Sequence, residues 1–444
     1  MTGGRPSAGP GIERIRDLLG PEGFQEPTLP TPGSDALPLP EATPGDRDAV
    51  QAIVRIAREE GLRLRPAGAR VGLHLLPPWR SGPPQEPDLL VSLGAFQGVE
   101  DYEPADLTLR AGAGTTLETV DGIVAEHGQM LPLDPPGAGH VTAGGVVAMG
   151  TPGPLATGFG RPRDQVLGVE MVDGRGRHLA LGGRVVKNVA GFDLVRLTTG
   201  SRGALGFILG ASLRLFPRPS VDRTLYWGAG SPAEAARLGR RMAELPFTLP
   251  ALEVVAGVGE GDLPGAAGGA GAAVIVRLLG SEPASKRLER ELRNAAGEPA
   301  ATLDGTASSA AALDRSKAEA AGAASFLLQV LPDRSEGALQ LLVGALGAER
   351  LERLHFALRP ATGTLRVWGE GLEAGDGPGM DLGALADAVE EFGGSVRLLA
   401  GEAPTGGEWP GVRPAPSVGR LHRELRLAFD PDGILPGAWR EGWE

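Results

Sequence analysis

The sequence predicts an α+β protein of more than one packed unit, and three observations carry that expectation. Its 444 residues exceed what a single ordinary core organises. From about Ala42 to Arg218, strand-like and helix-like spacings alternate at short intervals. Beyond Arg218 the texture changes to strands and helices set apart by long spacers rich in Gly and Ala, which marks a second α+β unit. The expected division is a flexible Gly- and Pro-rich segment over 1–41, a first domain over 42–218, a second, cap-like domain over 219–410, and a C-terminal segment over 411–444 that returns to the first domain.

Each element has its own signal. Val50, Ile53, Val54, Ile56 and Ala57 recur at helical spacing, with Pro44 and Asp46 suited to the start of a helix and Gly61 to its stop. A short strand over 62–65 breaks at the small-residue loop Pro66-Ala67-Gly68-Ala69-Arg70-Val71-Gly72. Strands are expected over 88–93 and 107–111, then a helix over 116–127 with Thr115 and Glu118 as its capping pair. The runs 166–172 and 177–181 flank Asp173-Gly174-Arg175-Gly176 and predict a hairpin. A strand over 207–215 closes the first domain. The second domain is expected to hold strands over 224–227, 252–255 and 273–279 and helices over 233–244 and 283–295. Spacers at 261–273, 295–324 and 371–379 read as loops. The last helix, 418–429, offers Leu421, Leu425 and Leu427 as its apolar positions.

Composition narrows the chemistry. A formal charge of −12 disfavours nucleic acid and anionic membrane surfaces, both of which need clustered Lys and Arg. The chain has no cysteine, which excludes disulfides, iron–sulfur ligation, thiolate nucleophiles and cysteinyl cofactor links. Any onward one-electron carrier is then expected on another subunit. The first 41 residues lack the apolar core of a signal peptide, and no uninterrupted span of ~20 apolar residues occurs. The chain is expected to be cytoplasmic, any hold on the inner membrane coming through partner subunits.

Two dinucleotide-fingerprint lookalikes fail on their third glycine. After Gly112-Ala113-Gly114 that position is Leu117, and after Gly257-Val258-Gly259 it is Asp262, followed by the helix breakers Pro264 and Gly265. More informative is the stretch 131–216. Adjacent Gly144 and Gly145 within Thr142-Ala143-Gly144-Gly145 leave backbone N–H groups accessible, which suits a phosphate or a flavin carbonyl as well as a tight packing turn. Gly200-Ser201-Arg202-Gly203-Ala204-Leu205-Gly206 leads into a strand, at a place where nucleotides often sit. Lys187-Asn188-Val189-Ala190-Gly191-Phe192-Asp193 lies between them and groups Lys, Asn and Asp in one short run.

Taken in order, the 66–72 loop, Leu133-Asp134-Pro135-Pro136, Thr142 to Gly145, Arg163-Asp164, the 187–193 run, the 200–206 loop and Phe429-Asp430-Pro431-Asp432-Gly433-Ile434-Leu435 resemble the FAD-linked oxidases of the vanillyl-alcohol oxidase type, with a PCMH-type FAD-binding domain of two α+β subdomains. Within that family the chain is most similar to the FAD-binding subunits, type E, of bacterial glycolate oxidase. The resemblance runs continuously over about 42–218 and resumes at the C-terminus. It implies noncovalent FAD held by Pro66, Ala67, Gly68, Ala69, Arg70 and Val71 on one side of the pyrophosphate and by Thr142, Gly144, Gly145 and Ala148 on the other. Pro135, Gly160, Arg163 and Asp164 would line the flavin approach, Gly206 and Ile208 would meet one end of the cofactor, and Lys187 and Asn188 would lie near the flavin. Ala67, Ala69 and Arg70 intrude where the family's first loop usually has glycines, Phe192 replaces a customary Tyr, and Asn is missing before Pro436. His74 lies beyond the loop position that some relatives use for covalent attachment.

If FAD is bound, a 2-hydroxy acid would need a cation for its carboxylate and a base for its hydroxyl proton. The second domain offers His355, which reads first as a structural residue among Leu354, Phe356 and Leu358, and Arg359 and Arg366 as carboxylate partners. No histidine pair with metal-ligand spacing appears there, and no catalytic base stands out. Three functions fit: an FAD-binding subunit of a glycolate oxidase-like complex with a second flavoprotein subunit and an iron–sulfur subunit; a self-sufficient FAD-dependent dehydrogenase or oxidase of an alcohol or 2-hydroxy acid; and a noncatalytic partner that has lost FAD.

Overall fold

A computed structural model of the chain describes residues 9–27, 39–68, 87–135, 137, 139–183, 192–257, 272–305, 325–346, 354–369, 382–400 and 416–436. Among these residues the strands assemble into sheets of four, five, two and eight strands.

The first domain begins earlier than the sequence suggested. Pro10–Gly23 is a helix (α1) with Pro at its first turn and a break at Gly20, ahead of Pro21, where φ is 68°. Ile12 and Ile15 are three residues apart and share one buried face, packed towards α2 (Arg47–Glu60). β1 (Phe24–Gln25) then pairs with β2 (Glu41–Ala42). The expected flexible segment 1–41 therefore does not hold over 10–25: its apolar residues have a core to join, and burying them outweighs the Gly and Pro around them. α2 follows its sequence signals, with Asp46 accepting the Ala49 N–H at 2.8 Å and Gly61 closing the helix in the left-handed region.

β3 (Leu64–Ala67) and β4 (Leu89–Ser92) complete a sheet ordered β1-β2-β4-β3. A second, antiparallel sheet, ordered β5-β6-β10-β8-β9, is built from β5 (Val99–Glu103), β6 (Thr108–Gly112), β8 (Val166–Asp173), β9 (His178–Gly182) and β10 (Gly206–Arg214). These are the two subdomains. A small ribbon pairs β7 (Gln129–Met130) with β11 (Phe216–Pro217). The helix α3 (Leu117–Ala125) is capped by Thr116, which accepts the Thr119 N–H at 3.2 Å, rather than by the expected Thr115. Thr115 Oγ1 turns instead to the backbone of Gly98 at 3.0 Å, because it is buried at the turn leaving β6.

The predicted hairpin forms, and it anchors the C-terminus. Fully buried Asp173 accepts the N–H groups of Arg175 (3.0 Å) and Arg177 (2.8 Å) and the Arg177 Nε (2.7 Å). The two arginines donate onward to the carbonyls of Leu427 (2.8 Å) and Ala428 (3.0 Å), at the end of the helix Pro416–Phe429. Asp430 then accepts from Ile434 and Leu435, both at 3.0 Å, and Phe429, Ile434 and Leu435 enter the first domain's core. The expected apolar face of this helix is not buried, since Leu421 and Leu427 are both 53% exposed; the contacts with the first domain are made at the helix end. Asp173→Ala is expected to lower stability by about 2–4 kcal/mol, because three donors lose one buried acceptor; urea unfolding of the purified chain measures it.

The second domain contains two βαββαβ units. The first comprises β12 (Val221–Ala229), α8 (Pro232–Ala243), β13 (Ala251–Ala256), β14 (Ala272–Gly280), α9 (Glu282–Ala296) and β15 (Ala301–Asp304). The second comprises β16 (Ser325–Gln329), the helix Ser335–Leu346, β17 (Leu354–Arg359), β18 (Thr364–Gly369), the helix Leu382–Glu391 and β19 (Ser395–Ala400). The units join edge to edge through β13 and β17 in one antiparallel sheet, ordered β15-β12-β14-β13-β17-β18-β16-β19. One face packs Leu225, Val276, Val254, Phe356 and Val367 under the helices. The alternate positions carry Asp222, Arg277, Glu253, Arg359, His355 and Arg366 on the opposite face. Of the Gly- and Ala-rich spacers, Ala272 and Ala273 belong to β14 and 301–304 to β15; 258–271, 306–324 and 370–381 lie outside the described residues.

Candidate functional site

Three separate segments of the first domain meet at one narrow place. A Cβ built on Gly68 would lie 2.8 Å from Thr142 Oγ1, one on Gly145 3.2 Å from that same oxygen, and one on Gly203 3.1 Å from the Pro66 ring. Gly203 also has φ of 81°. The end of β3, the start of α4 (Ala143–Met149) and the turn before β10 therefore approach each other closely because the side chains at Gly68 and Gly203 are missing, while Gly145 lets Thr142 close its own helix turn. Such a crowded, polar, small-residue cradle fits the diphosphate of a dinucleotide, the fit that the sequence motifs require.

The local folding explains the cradle. Thr142 caps α4 by accepting the Gly145 N–H at 3.2 Å. The N–H groups of Ala143 and Gly144 do not stay accessible as the paired glycines suggested: they donate to the carbonyls of Thr115 (2.8 Å) and Ala113 (2.9 Å). Gly144 is required instead for packing, since its Cβ would lie 2.7 Å from that of Ala113. Ala148 contributes its carbonyl, which accepts the Arg202 N–H at 2.8 Å and ties α4 to the turn 200–206. Gly206 has φ of 151°, and a Cβ there would overlap the Val172 carbonyl. Ile208 is buried in the core, paired across the strands with Met171, so its side chain packs the fold.

Gly160, Arg163 and Asp164 form a second group around α6 (Pro162–Gln165). Gly160 takes φ of 90° beside Asp164, and the Asp164 carboxylate accepts the Arg161 N–H at 3.0 Å and reaches Arg196 at 3.5 Å. Arg163 is exposed. Arg196 lies on α7 (Leu194–Thr198), whose cap Asp193 is the last residue of the 187–193 run. The structure thus brings the Gly160–Asp164 turn next to the end of that run. Ala69, Arg70, Val71, His74, Lys187 and Asn188 lie outside the described residues, whereas Pro66, Ala67 and Gly68 lie within them.

A third group lies where the two domains meet. Pro135 is buried there, and the Asp134 carboxylate beside it accepts the Leu155 N–H at 3.1 Å. The protein packed around Asp134 pushes its carboxyl up to about 7, against the opposing pull of the Leu155 N–H and the Arg359 charge. Across the seam, Arg359 donates to Glu253 (2.7 Å) and to the Pro152 carbonyl of the first domain (2.8 Å). Arg277 holds Asp222 in a two-pronged pair at 2.8 and 2.7 Å. Arg366 lies further along the same face, 5.6 Å from the Trp368 ring, and burial lowers its pKa to about 10. His355 stacks on Trp368, also at 5.6 Å. A crevice of about 840 Å³ opens along the seam between Leu131, Asp134, His140, Asp222 and Arg277. Sequence reasoning named Arg359 and Arg366 but not Glu253 or Asp134 as site residues; the available signal for Asp134 was a lone acid in an otherwise apolar, proline-rich run.

Comparison with known proteins accords with this geometry. Residues 38–182 match the family model described as FAD binding domain. The chain is 44% identical to glycolate oxidase subunit GlcE of Escherichia coli over 130 residues, 29% of this chain and 37% of that protein. It is 35% identical to a D-2-hydroxyglutarate dehydrogenase of Xanthomonas citri pv. viticola over 42% of this chain and 39% of that one. It is 27% identical to glycolate oxidase subunit GlcD of Bacillus subtilis over 48% and 46%. The chain thus spans less than half the length of these relatives. A solved alkyldihydroxyacetonephosphate synthase shares the fold over 98% of this chain and 87% of its own, with a TM-score of 0.67 at 13% identity. The cradle, the ordered motifs and the matched segment agree: residues 38–182 resemble an FAD binding domain, which supports FAD as the cofactor, and the chain shares its fold with that solved synthase.

Proposed function

We propose that this chain is an FAD-dependent oxidoreductase acting on a 2-hydroxy acid, and that it works as the FAD-binding subunit of a glycolate oxidase-like complex with a second flavoprotein subunit and an iron–sulfur subunit. FAD supplies a two-electron oxidation at its ring system, and the chain's own share is to hold the cofactor and to place charge around the substrate. The observation that carries the reading is the pairing of a diphosphate cradle in the first domain with a cap-sheet face that turns Arg359, Arg366 and His355 towards the same seam. A guanidinium there suits a carboxylate substrate because its fork matches two carboxylate oxygens. Arg366 lies on the same face of the cap sheet as Arg359, and we assign it to the substrate carboxylate. Glycolate oxidase subunits and 2-hydroxy-acid dehydrogenases among the relatives support the substrate class. The chain's lack of cysteine supports a separate iron–sulfur subunit.

The test is the visible spectrum of the purified chain, followed by glycolate and D-lactate without and then with a dye acceptor. The proposal expects a yellow protein that reacts with neither acid alone and turns over once the partner subunits are added. Bleaching by either acid in the isolated chain would establish the self-sufficient reading instead. A colourless protein that cannot be reconstituted with FAD would leave the noncatalytic reading. Arg366→Met is expected to raise KM for the acid by about a hundredfold, the loss of one charge-assisted contact of ~3 kcal/mol, with the flavin spectrum unchanged; an unaltered KM would remove Arg366 from the substrate site.

A further inference from the structure

Asp134 is an acid whose surroundings join the two domains, and no catalytic role assigned above uses it. Its carboxylate receives the Leu155 N–H, and a Cβ on Gly153 would overlap the Asp134 carbonyl, so the segment 151–158 lies directly against it. That segment is also the bridge to the cap. Pro152 accepts from Arg359 at 2.8 Å, the Gly158 N–H donates to Pro250 at 3.1 Å, and α5 (Ala156–Phe159) lies against β13. Asp134 further lines the 840 Å³ seam crevice.

We propose that Asp134 is a positioning residue that makes the closure of this seam depend on a proton: the closed seam takes up a proton on Asp134 that the opened seam releases. The charged groups facing it explain why its negative charge is poorly supported when the seam is shut. From β17 comes Arg359, from β13 Glu253, and from β14 Arg277. Each arginine already has a carboxylate of its own, Glu253 at 2.7 Å and Asp222 of β12 at 2.7 Å, so little attraction is left for Asp134. His140, Glu118, Asp121 and Arg218 share the crevice wall, with Arg218 engaged by Asp121 at 2.8 Å. Burial therefore prevails over the remaining attraction, and the carboxyl is raised to about 7. Asp134 is half-buried on the crevice wall, and parting the 151–158 bridge from it hydrates the carboxyl fully and returns it towards the ordinary range near 4. The closed form then binds more protons than the open one between pH 4 and 7, so closure is favoured as pH falls and opening as pH rises to about 7. The effect levels off above that, where both forms are ionised.

The test is hydrogen–deuterium exchange of the full chain between pH 5 and 8, corrected for the intrinsic pH dependence of amide exchange and read on peptides covering 151–160 and 250–256. It needs no flavin and no substrate, so it is independent of the activity proposed above. Protection of these peptides is expected to fall with rising pH, by up to tenfold per pH unit for one linked proton below pH 7, relative to peptides from α2. Asp134→Asn, which keeps an acceptor for the Leu155 N–H, is expected to flatten that dependence; Asp134→Glu is expected to restore it. A flat profile in the natural chain, or an unchanged slope in Asp134→Asn, would overturn the proposal. Circular dichroism of both variants across the same pH range shows that the comparison is made on folded protein.

Discussion

Gly68→Val is expected to lower FAD affinity by a hundredfold or more, about 3 kcal/mol, while the chain without cofactor stays folded. The added side chain points at Thr142 Oγ1, only 2.8 Å from where its Cβ must lie, and the two branches of valine extend into the narrow space between β3 and α4. Thr142 has little room to retreat, because it caps α4 and its neighbour Ala143 donates to Thr115. The crowding falls at the mouth of the cradle rather than in the core, so cofactor binding suffers before stability does. Titration of the apo chain with FAD, followed by quenching of flavin fluorescence, measures it. Gly122→Ala serves as the comparison: it sits within α3 with open space around it, and its affinity should be unchanged. Equal affinities in the Gly68 variant and the natural chain would mean that the diphosphate lies elsewhere.

Breaking the Arg359–Glu253 pair is the second large effect. The two side chains are 10% and 4% exposed, and Arg359 also supplies the bond to Pro152 across the seam. Arg359→Met leaves a carboxylate buried without its cation, a loss of about 3–5 kcal/mol. The double change Arg359→Met with Glu253→Met removes both charges and is expected to recover most of that loss, since desolvating an ion pair costs nearly what its attraction returns. Urea unfolding of the natural chain, the single variant and the double variant tests the pair. A single variant within 1 kcal/mol of the natural chain would show that water reaches Glu253 and that the seam is looser than its contacts indicate.

The C-terminal motif shows how a sequence pattern can be right in place and different in purpose. The sequence suggested a cofactor-family motif at Phe429 to Leu435; in the structure Asp430 spends both oxygens on Ile434 and Leu435 and lies beneath Gly174 of the β8–β9 turn. Its position in the buried core, with Phe429 and Leu435, marks it as a lock on the fold. Likewise, the paired glycines at 144 and 145 suggested accessible N–H groups; the turn after β6 claims two of the nearby donors, and only the fold brings Thr115 and Ala113 within reach.

Local physics determined the parts of this protein that a short window contains. The helix of α2 with its Asp46 and Gly61 ends, the β8–β9 hairpin around Asp173 to Gly176, and the small-residue turn over 200–206 were readable because periodicity, capping and turn chemistry act over a few residues. The doubled βαββαβ cap was not, because its symmetry lies in strand pairing across the sheet and the two halves share no repeated motif that stands out. Nor were the convergence of Gly68, Thr142 and Gly203, the place of α1 in the core, or the seam around Asp134. Each depends on the distance between residues far apart in the chain, and that distance is set by the packing of whole sheets rather than by any local preference.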